Sequence, residues 1–220
     1  MIQENLAKIK ATLPKGVELV AVSKTKPNEM ILEAYHAGQR IFGENRVQEL
    51  VPKYEELPKD IQWHMIGHLQ TNKVKFIVPF VSLIHGVHKW ELLKEINKEA
   101  AKINRVVEVL IQFHIAEEET KFGFDFEEAK EMLESEEFHD LQHIQIRGVM
   151  GMATFTEDID KVRDEFRTLH NYFQVFKSHF FKFNDQFNII SMGMSGDYQI
   201  AIEEGSNMVR VGSAIFGTRG

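Results

Sequence analysis

The sequence predicts a (β/α)8 barrel, and three observations carry that expectation. Short β-rich runs alternate with helical stretches about eight times along 220 residues, the length of a small barrel of this class. Arg105 to Phe113 contains Val106, Val107, Val109, Leu110 and Ile111 in an almost unbroken apolar run. A strand covered on both faces by helices has that composition. No Gly-x-Gly-x-x-Gly turn supports the rival architecture, an open doubly wound sheet.

The elements follow in order. Ile2, Leu6, Ile9 and Leu13 recur at helical spacing in an N-terminal segment that lacks the apolar core of a signal peptide. Val17 to Val22 reads as the first strand, ending at Ser23-Lys24-Thr25-Lys26, and Pro27 opens a helix that Gly38 closes. Arg40 to Phe42 is the second strand, followed by a helix after Gly43; Ile61 to Ile66 is the third, with a helix after Leu69. Val81 to His85 is the fourth strand, and Leu93, Ile96, Ala100 and Ile103 mark one face of the next helix. Arg105 to Phe113 and Ile144 to Gly148 are the fifth and sixth strands. Phe166, Leu169, Phe173, Phe176 and Phe180 line one side of a long helix and are expected to be core. Asn188 to Met192 and Met208 to Val211 complete the strands, with a helix between them. No linker, low-complexity tract or internal repeat interrupts the pattern, so residues 1–220 are expected to form one domain.

Composition bounds the function. Lys and Arg total 26 against 33 Asp and Glu, a formal charge of −7, which disfavours a general nucleic-acid binder because such proteins carry a basic field. With 43% hydrophobic and 27% charged residues, the chain can bury a core. At this length folding removes roughly 70–75% of the unfolded surface from water. There are no cysteines, which excludes disulfides, thiolate nucleophiles and thiolate metal ligands. No apolar run approaches a membrane span. The expectation is a cytoplasmic protein with neither membrane nor nucleic acid as partner.

In a barrel the active site lies at the C-terminal ends of the strands. Strand one ends in Ser23-Lys24, strand two runs into Gly43-Glu44-Asn45-Arg46, and strand three ends near His64 to His68. Strands seven and eight end in Ser191-Met192-Gly193-Met194-Ser195-Gly196 and Arg210-Val211-Gly212-Ser213. Small residues thus cluster just before two helices, where close backbone approach, hydroxyl donors and unpaired N–H groups suit a phosphate. Lys24 at a strand end can point into the mouth, where desolvation and nearby cations would favour the neutral amine that a Schiff base requires. A lysine opposite a phosphate cup implies an aldehyde that carries a phosphate. Pyridoxal phosphate and a phosphorylated sugar in an aldolase-type site both satisfy the residues alone. His64 and His68 straddle a strand end, and His85, His88 and His114 are placed at loop ends; without an HExxH motif these are expected to be structural or surface residues, with no metal site. Glu117-Glu118-Glu119 reads as a solvated loop.

Longer motifs then become recognisable. VAVSKTKP (Val20 to Pro27), FGENRVQE (Phe42 to Glu49), WHMIGHLQTNK (Trp63 to Lys73), KFGF (Lys121 to Phe124), RGVMGM (Arg147 to Met152) and SMGMSGDYQIAIEEGSNMVRVGSAIFG (Ser191 to Gly217) fall in order along nearly the whole chain. In them the sequence resembles the YggS/PROSC family of pyridoxal phosphate homeostasis proteins. The resemblance implies a fold type III barrel similar to the N-terminal domain of alanine racemase. It also implies an internal aldimine of pyridoxal 5'-phosphate on Lys24, and a phosphate held by Ser195, Gly212 and Ser213 with backbone from Met194. Asn45 would lie beside the cofactor, and Arg210 would face the pyridine nitrogen or help with the phosphate. The sequence departs from the family's usual pattern at Arg46, at His85-Gly86-Val87-His88 and at His114.

Two-base racemisation needs a second acid or base on the opposite cofactor face. In alanine racemases a tyrosine from a further β domain supplies it, and this sequence shows no such domain. The expectation is therefore a monomeric, non-catalytic carrier that stores, buffers or delivers pyridoxal phosphate to apo-enzymes by reversible imine exchange.

Overall fold

The computed structural model describes residues 1–119 and 122–218, and over them the chain closes into a barrel of parallel strands in sequence order. The strands are β1 (Glu18–Val22), β2 (Ile41–Glu44), β3 (Gln62–Met65), β4 (Leu83–Val87), β5 (Val107–Gln112), β6 (Ile144–Met150), β7 (Ile189–Ser191) and β8 (Met208–Val211). Pairing of Glu18 through Ala21 with Met208 through Val211 joins β1 to β8 and closes the ring. Around it run α1 (Ile2–Thr12), α2 (Asn28–His36), α3 (Val47–Glu56), α4 (Val74–Ile77), α5 (Trp90–Lys102), α6 (Phe126–Glu134), α7 (Glu136–His139), α8 (Ile159–His179), α9 (Tyr198–Glu203) and α10 (Ser213–Phe216). No helix among the described residues is long and apolar enough to cross a membrane.

The period of two along each strand divides the core into two layers. Val20, Leu83, Leu110, Met150, Ile189 and Met208 turn inward and plug the barrel. Their neighbours Leu19, Ala21, Trp63, Ile84, Val109, Ile190 and Val209 turn outward against the helices in the larger core. The aromatic stripe on α8 belongs to that outer layer. Phe166, Leu169 and Phe176 are buried, and Phe173 stacks on Phe187 with ring centroids 5.1 Å apart.

Several elements differ from the sequence reading, β6 among them, which runs to Met150. β2 runs on through Gly43 to Glu44, because inward Gly43 and outward Glu44 both find partners beyond Phe42. β4 spans Leu83–Val87, so His85 lies inside a strand and is fully buried, not at a loop end. Helices α6 and α7, absent from the elements expected from sequence, fill the interval between β5 and β6. Their signal was present: Asp125 accepts from the Glu128 N–H at 2.8 Å while Glu128 accepts from the Asp125 N–H, a capping box ahead of buried Ala129, Met132 and Leu133.

Candidate functional site

The C-terminal ends of the strands open on a cavity of about 400 Å3. It is bordered by Lys24 after β1, Met194 and Ser195 after β7, Arg210 on β8, Gly212 and Ser213 after β8, and Thr154 and Phe155 after β6. Six of the predicted site residues, Lys24, Met194, Ser195, Arg210, Gly212 and Ser213, therefore share one space. Asn45 stands apart from them, on a neighbouring opening of about 400 Å3 beside Arg46, His68, Gln70 and Lys73. Its backbone is fixed by Gly67: a Cβ there would lie 2.5 Å from the Asn45 carbonyl oxygen and 2.7 Å from its Cα. Only glycine permits that approach.

Two tight loops form the floor of the shared cavity. Met194 N–H donates to Asp197 Oδ1 at 2.7 Å, and the N–H groups of Asp197 and Tyr198 donate to the Met194 carbonyl. Gly212 N–H donates to Ser195 Oγ at 3.2 Å, which ties the β7–α9 loop to the start of α10. Among the described residues, the N–H groups of Ser195, Gly196 and Ser213 have no protein acceptor. Two helix starts with unpaired donors and two serine hydroxyls can hold a compact dianion.

The chain on either side of Lys24 is gripped from outside the barrel. Lys53 on α3 donates to the Ser23 carbonyl at 2.9 Å, to Glu49 Oε1 at 2.8 Å and to Glu44 Oε1. Glu49 in turn accepts from the Thr25 N–H, whose residue sits at φ 64, a left-handed conformation that needs such support. Both peptide groups flanking Lys24 are thus held by side chains of one helix. Glu44, fully buried, also accepts from Ser23 Oγ at 3.1 Å. Burial pushes its carboxyl up to about 7, against the pull of Lys53. Neither Glu44 nor Lys53 was picked out from sequence; the visible part of the cluster was the helical Glu49/Lys53 spacing.

Arg210 is 3% exposed and donates to the Ser191 hydroxyl and, at 3.2 Å, to the Gly151 carbonyl. Burial brings its pKa down to about 10, with Asp197 pulling it up, so the group is a cation at neutral pH. The histidines divide by layer. His64 and His85 are buried in the barrel, whereas His68 stacks on Phe122 at 3.9 Å on the rim and His88 Nδ1 lies 3.1 Å from the Gly86 carbonyl. His64 and His68 accordingly share no face. Among the described residues no three His, Asp or Glu side chains converge as metal ligands. In the acidic loop Glu117 pairs with Lys161 in solvent, but Glu118 accepts from the Phe155 N–H at 3.1 Å and so ties that loop to the rim. Lys121 of the KFGF motif lies outside the described residues, while Phe124 donates its N–H to the Gln112 carbonyl at 2.8 Å.

Comparison with known proteins agrees with this fold. The family model for the alanine racemase N-terminal domain matches residues 1–220. A pyridoxal phosphate homeostasis protein from Aquifex aeolicus is 41% identical over 203 residues, covering 92% of this chain and 87% of that one. PipY of Synechococcus elongatus superimposes with a TM-score of 0.92 at 35% identity without pyridoxal phosphate, and 0.89 at 34% identity with it bound. Each alignment covers 99% of this chain and 100% of PipY. With such similarity over nearly its whole length, the chain belongs to the family of pyridoxal phosphate homeostasis proteins, built on the alanine racemase N-terminal domain.

Proposed function

We propose that this chain binds pyridoxal 5'-phosphate covalently through Lys24 at the barrel mouth, and acts in its homeostasis as a carrier rather than a catalyst. The observation that carries the reading is the convergence of Lys24, Arg210 and two loops with unpaired N–H groups on one cavity. At about 400 Å3 that cavity is within the range of cofactor pockets. When bound, the cofactor supplies an aldehyde carbon that condenses reversibly with a primary amine and releases water.

Lys24 supplies that amine from a backbone fixed on both sides by Lys53 and Glu49. Ser195 and Ser213, with the N–H groups of the loops, would hold the phosphate. Arg210 has donors only, so beside a ring nitrogen it favours the unprotonated pyridine and a weaker electron sink than a carboxylate partner would give. Asn45, on the adjoining opening, would approach the cofactor from the β2 side. Weak electron withdrawal and an open rim suit exchange of the amine more than carbanion chemistry. A primary amine such as the lysine of an apo-enzyme would take the place of Lys24, whose own amine would be released free at the mouth.

The first test is the visible spectrum of the protein mixed with pyridoxal phosphate. The wild type is expected to show an absorption band that borohydride bleaches with covalent retention of the cofactor, and Lys24→Ala is expected to lack it. A colourless wild type would remove the reading. Robust turnover of an amino acid that Lys24→Ala abolishes would replace the carrier with an enzyme.

A further inference from the structure

Inside the barrel, four buried polar side chains touch in a row: Arg210 on β8, Ser191 on β7, His85 on β4 and His64 on β3. Arg210 Nη1 donates to Ser191 Oγ. His85 Nδ1 lies 2.9 Å from that oxygen, and His64 Nδ1 lies 2.9 Å from His85 Nε2. Arg210 borders the mouth cavity. His64 borders a separate cavity of about 470 Å3 with Gln62, Glu108 and Arg147. The row therefore connects the mouth to the opposite face.

The chemistry of the first member sets the direction of every bond that follows. A guanidinium can only donate, so Ser191 Oγ accepts from it. The hydroxyl has one proton to give, and among the described residues its other neighbour is His85 Nδ1. That nitrogen is then the acceptor, and His85 carries its proton on Nε2. The Nε2–H faces His64 Nδ1, which accepts, so His64 also carries its proton on Nε2. The reverse polarity would aim two donors at the serine and leave its own proton without an acceptor away from water. Burial keeps both imidazoles neutral, and the positive charge of Arg210 further opposes a cation on His85.

We propose that Ser191, His85 and His64 are positioning residues for Arg210: a one-way row of neutral hydrogen-bond partners that fixes the guanidinium at the mouth. The proposal rests on the reading of the mouth as the pyridoxal phosphate site, where an arginine hydrogen-bonded by neutral acceptors stays a cation toward the ring nitrogen, with Asp197 the carboxylate that acts on it. A carboxylate in place of Ser191 would cancel that charge; a serine backed by histidines orients the group without cancelling it.

The tautomers can be read directly. In long-range 15N–1H correlation spectra of the cofactor-free protein, His64 and His85 are expected to show a protonated Nε2 and a bare Nδ1 from mildly acidic to mildly alkaline pH. A proton on His85 Nδ1 overturns the row. The positioning role is read with pyridoxal phosphate as the probe, by absorbance titration of His85→Leu and His85→Gln. Glutamine offers the Ser191 proton a carbonyl acceptor and leucine does not. His85→Leu is expected to weaken binding by about 10- to 100-fold and to shift the visible band, the cost of leaving the buried Ser191 proton without an acceptor, while His85→Gln stays within about threefold of wild type. Equal binding and equal spectra for wild type and His85→Leu overturn the positioning role with the cofactor site intact. A wild type that binds no pyridoxal phosphate overturns the cofactor reading instead. If His85→Leu does not fold, the wild-type tautomers and the spectrum of His85→Gln decide.

Discussion

Lys53→Met is expected to lower folding stability by about 3–5 kcal/mol at pH 8 and by distinctly less at pH 5, because it strips a buried carboxylate of its counter-ion. Glu44 is fully buried and the Lys53 side chain is only 8% exposed, so water cannot replace the lost partner. The pH dependence follows from the proton on Glu44. Folding raises its affinity for that proton, from an ordinary 4.5 to about 7. Between those values the folded state binds more protons than the unfolded state, and stability falls as pH climbs through the window. Removing the ammonium raises the carboxyl further. At pH 8 the variant must then bury an unpaired charge or take up a proton, whereas at pH 5 the folded protein already holds that proton. Urea unfolding at the two pH values measures both losses. The double variant Glu44→Gln with Lys53→Met is expected to recover most of the stability at pH 8, since no buried charge remains on Glu44. Equal losses for Lys53→Met at both pH values would show that Glu44 is not the group being discharged.

The same cluster shows which parts of the site could be read from sequence. Lys24 and the Gly/Ser loops were legible because a barrel places the ends of its strands at one mouth, so residues far apart in the chain can be assigned to one space by strand order alone. The near-continuous apolar run of β5 made the architecture legible in the same way. Asn45 was carried only by resemblance, and it lies on the neighbouring opening, not with the other six. Glu44 and Lys53 were missed because their contact runs from a strand to the helix after it, a geometry with no fixed spacing. His85 was missed for a related reason. A histidine followed by glycine resembles the end of a strand, and its partners Ser191 and His64 reach it across the barrel interior. No periodicity along the chain registers a contact of that kind.

Gly148→Ala is expected to cost about 3–5 kcal/mol, from strained backbone and a clash that the barrel cannot relieve locally. Gly148 sits inside β6 at φ 151, a conformation L-residues rarely adopt. An added Cβ would lie 1.8 Å from the Ile189 carbonyl oxygen and 2.7 Å from its carbon. Those atoms belong to the partner strand, since Gly148 pairs with Ile189 on one side and Leu110 on the other. The irregularity has a visible cause. Val109 pairs with Ile146 and Leu110 with Gly148, so Arg147 is an extra residue bulged out of the ladder. Its guanidinium is anchored by Glu108 at 2.7 Å and by the Gln186 carbonyl at 2.8 Å. A methyl group at residue 148 can be accommodated only by parting β6 from β7, and β7 carries Ser191 and leads into the loop of Met194 and Ser195. Gly196→Ala, whose Cβ would meet open space, is expected to change stability by less than about 0.5 kcal/mol and serves as the control. Denaturant unfolding of the two variants against wild type checks the contrast. A Gly148→Ala protein as stable as Gly196→Ala would mean that the β6–β7 pairing yields freely, and that the bulge at Arg147 does not set the spacing of the two strands.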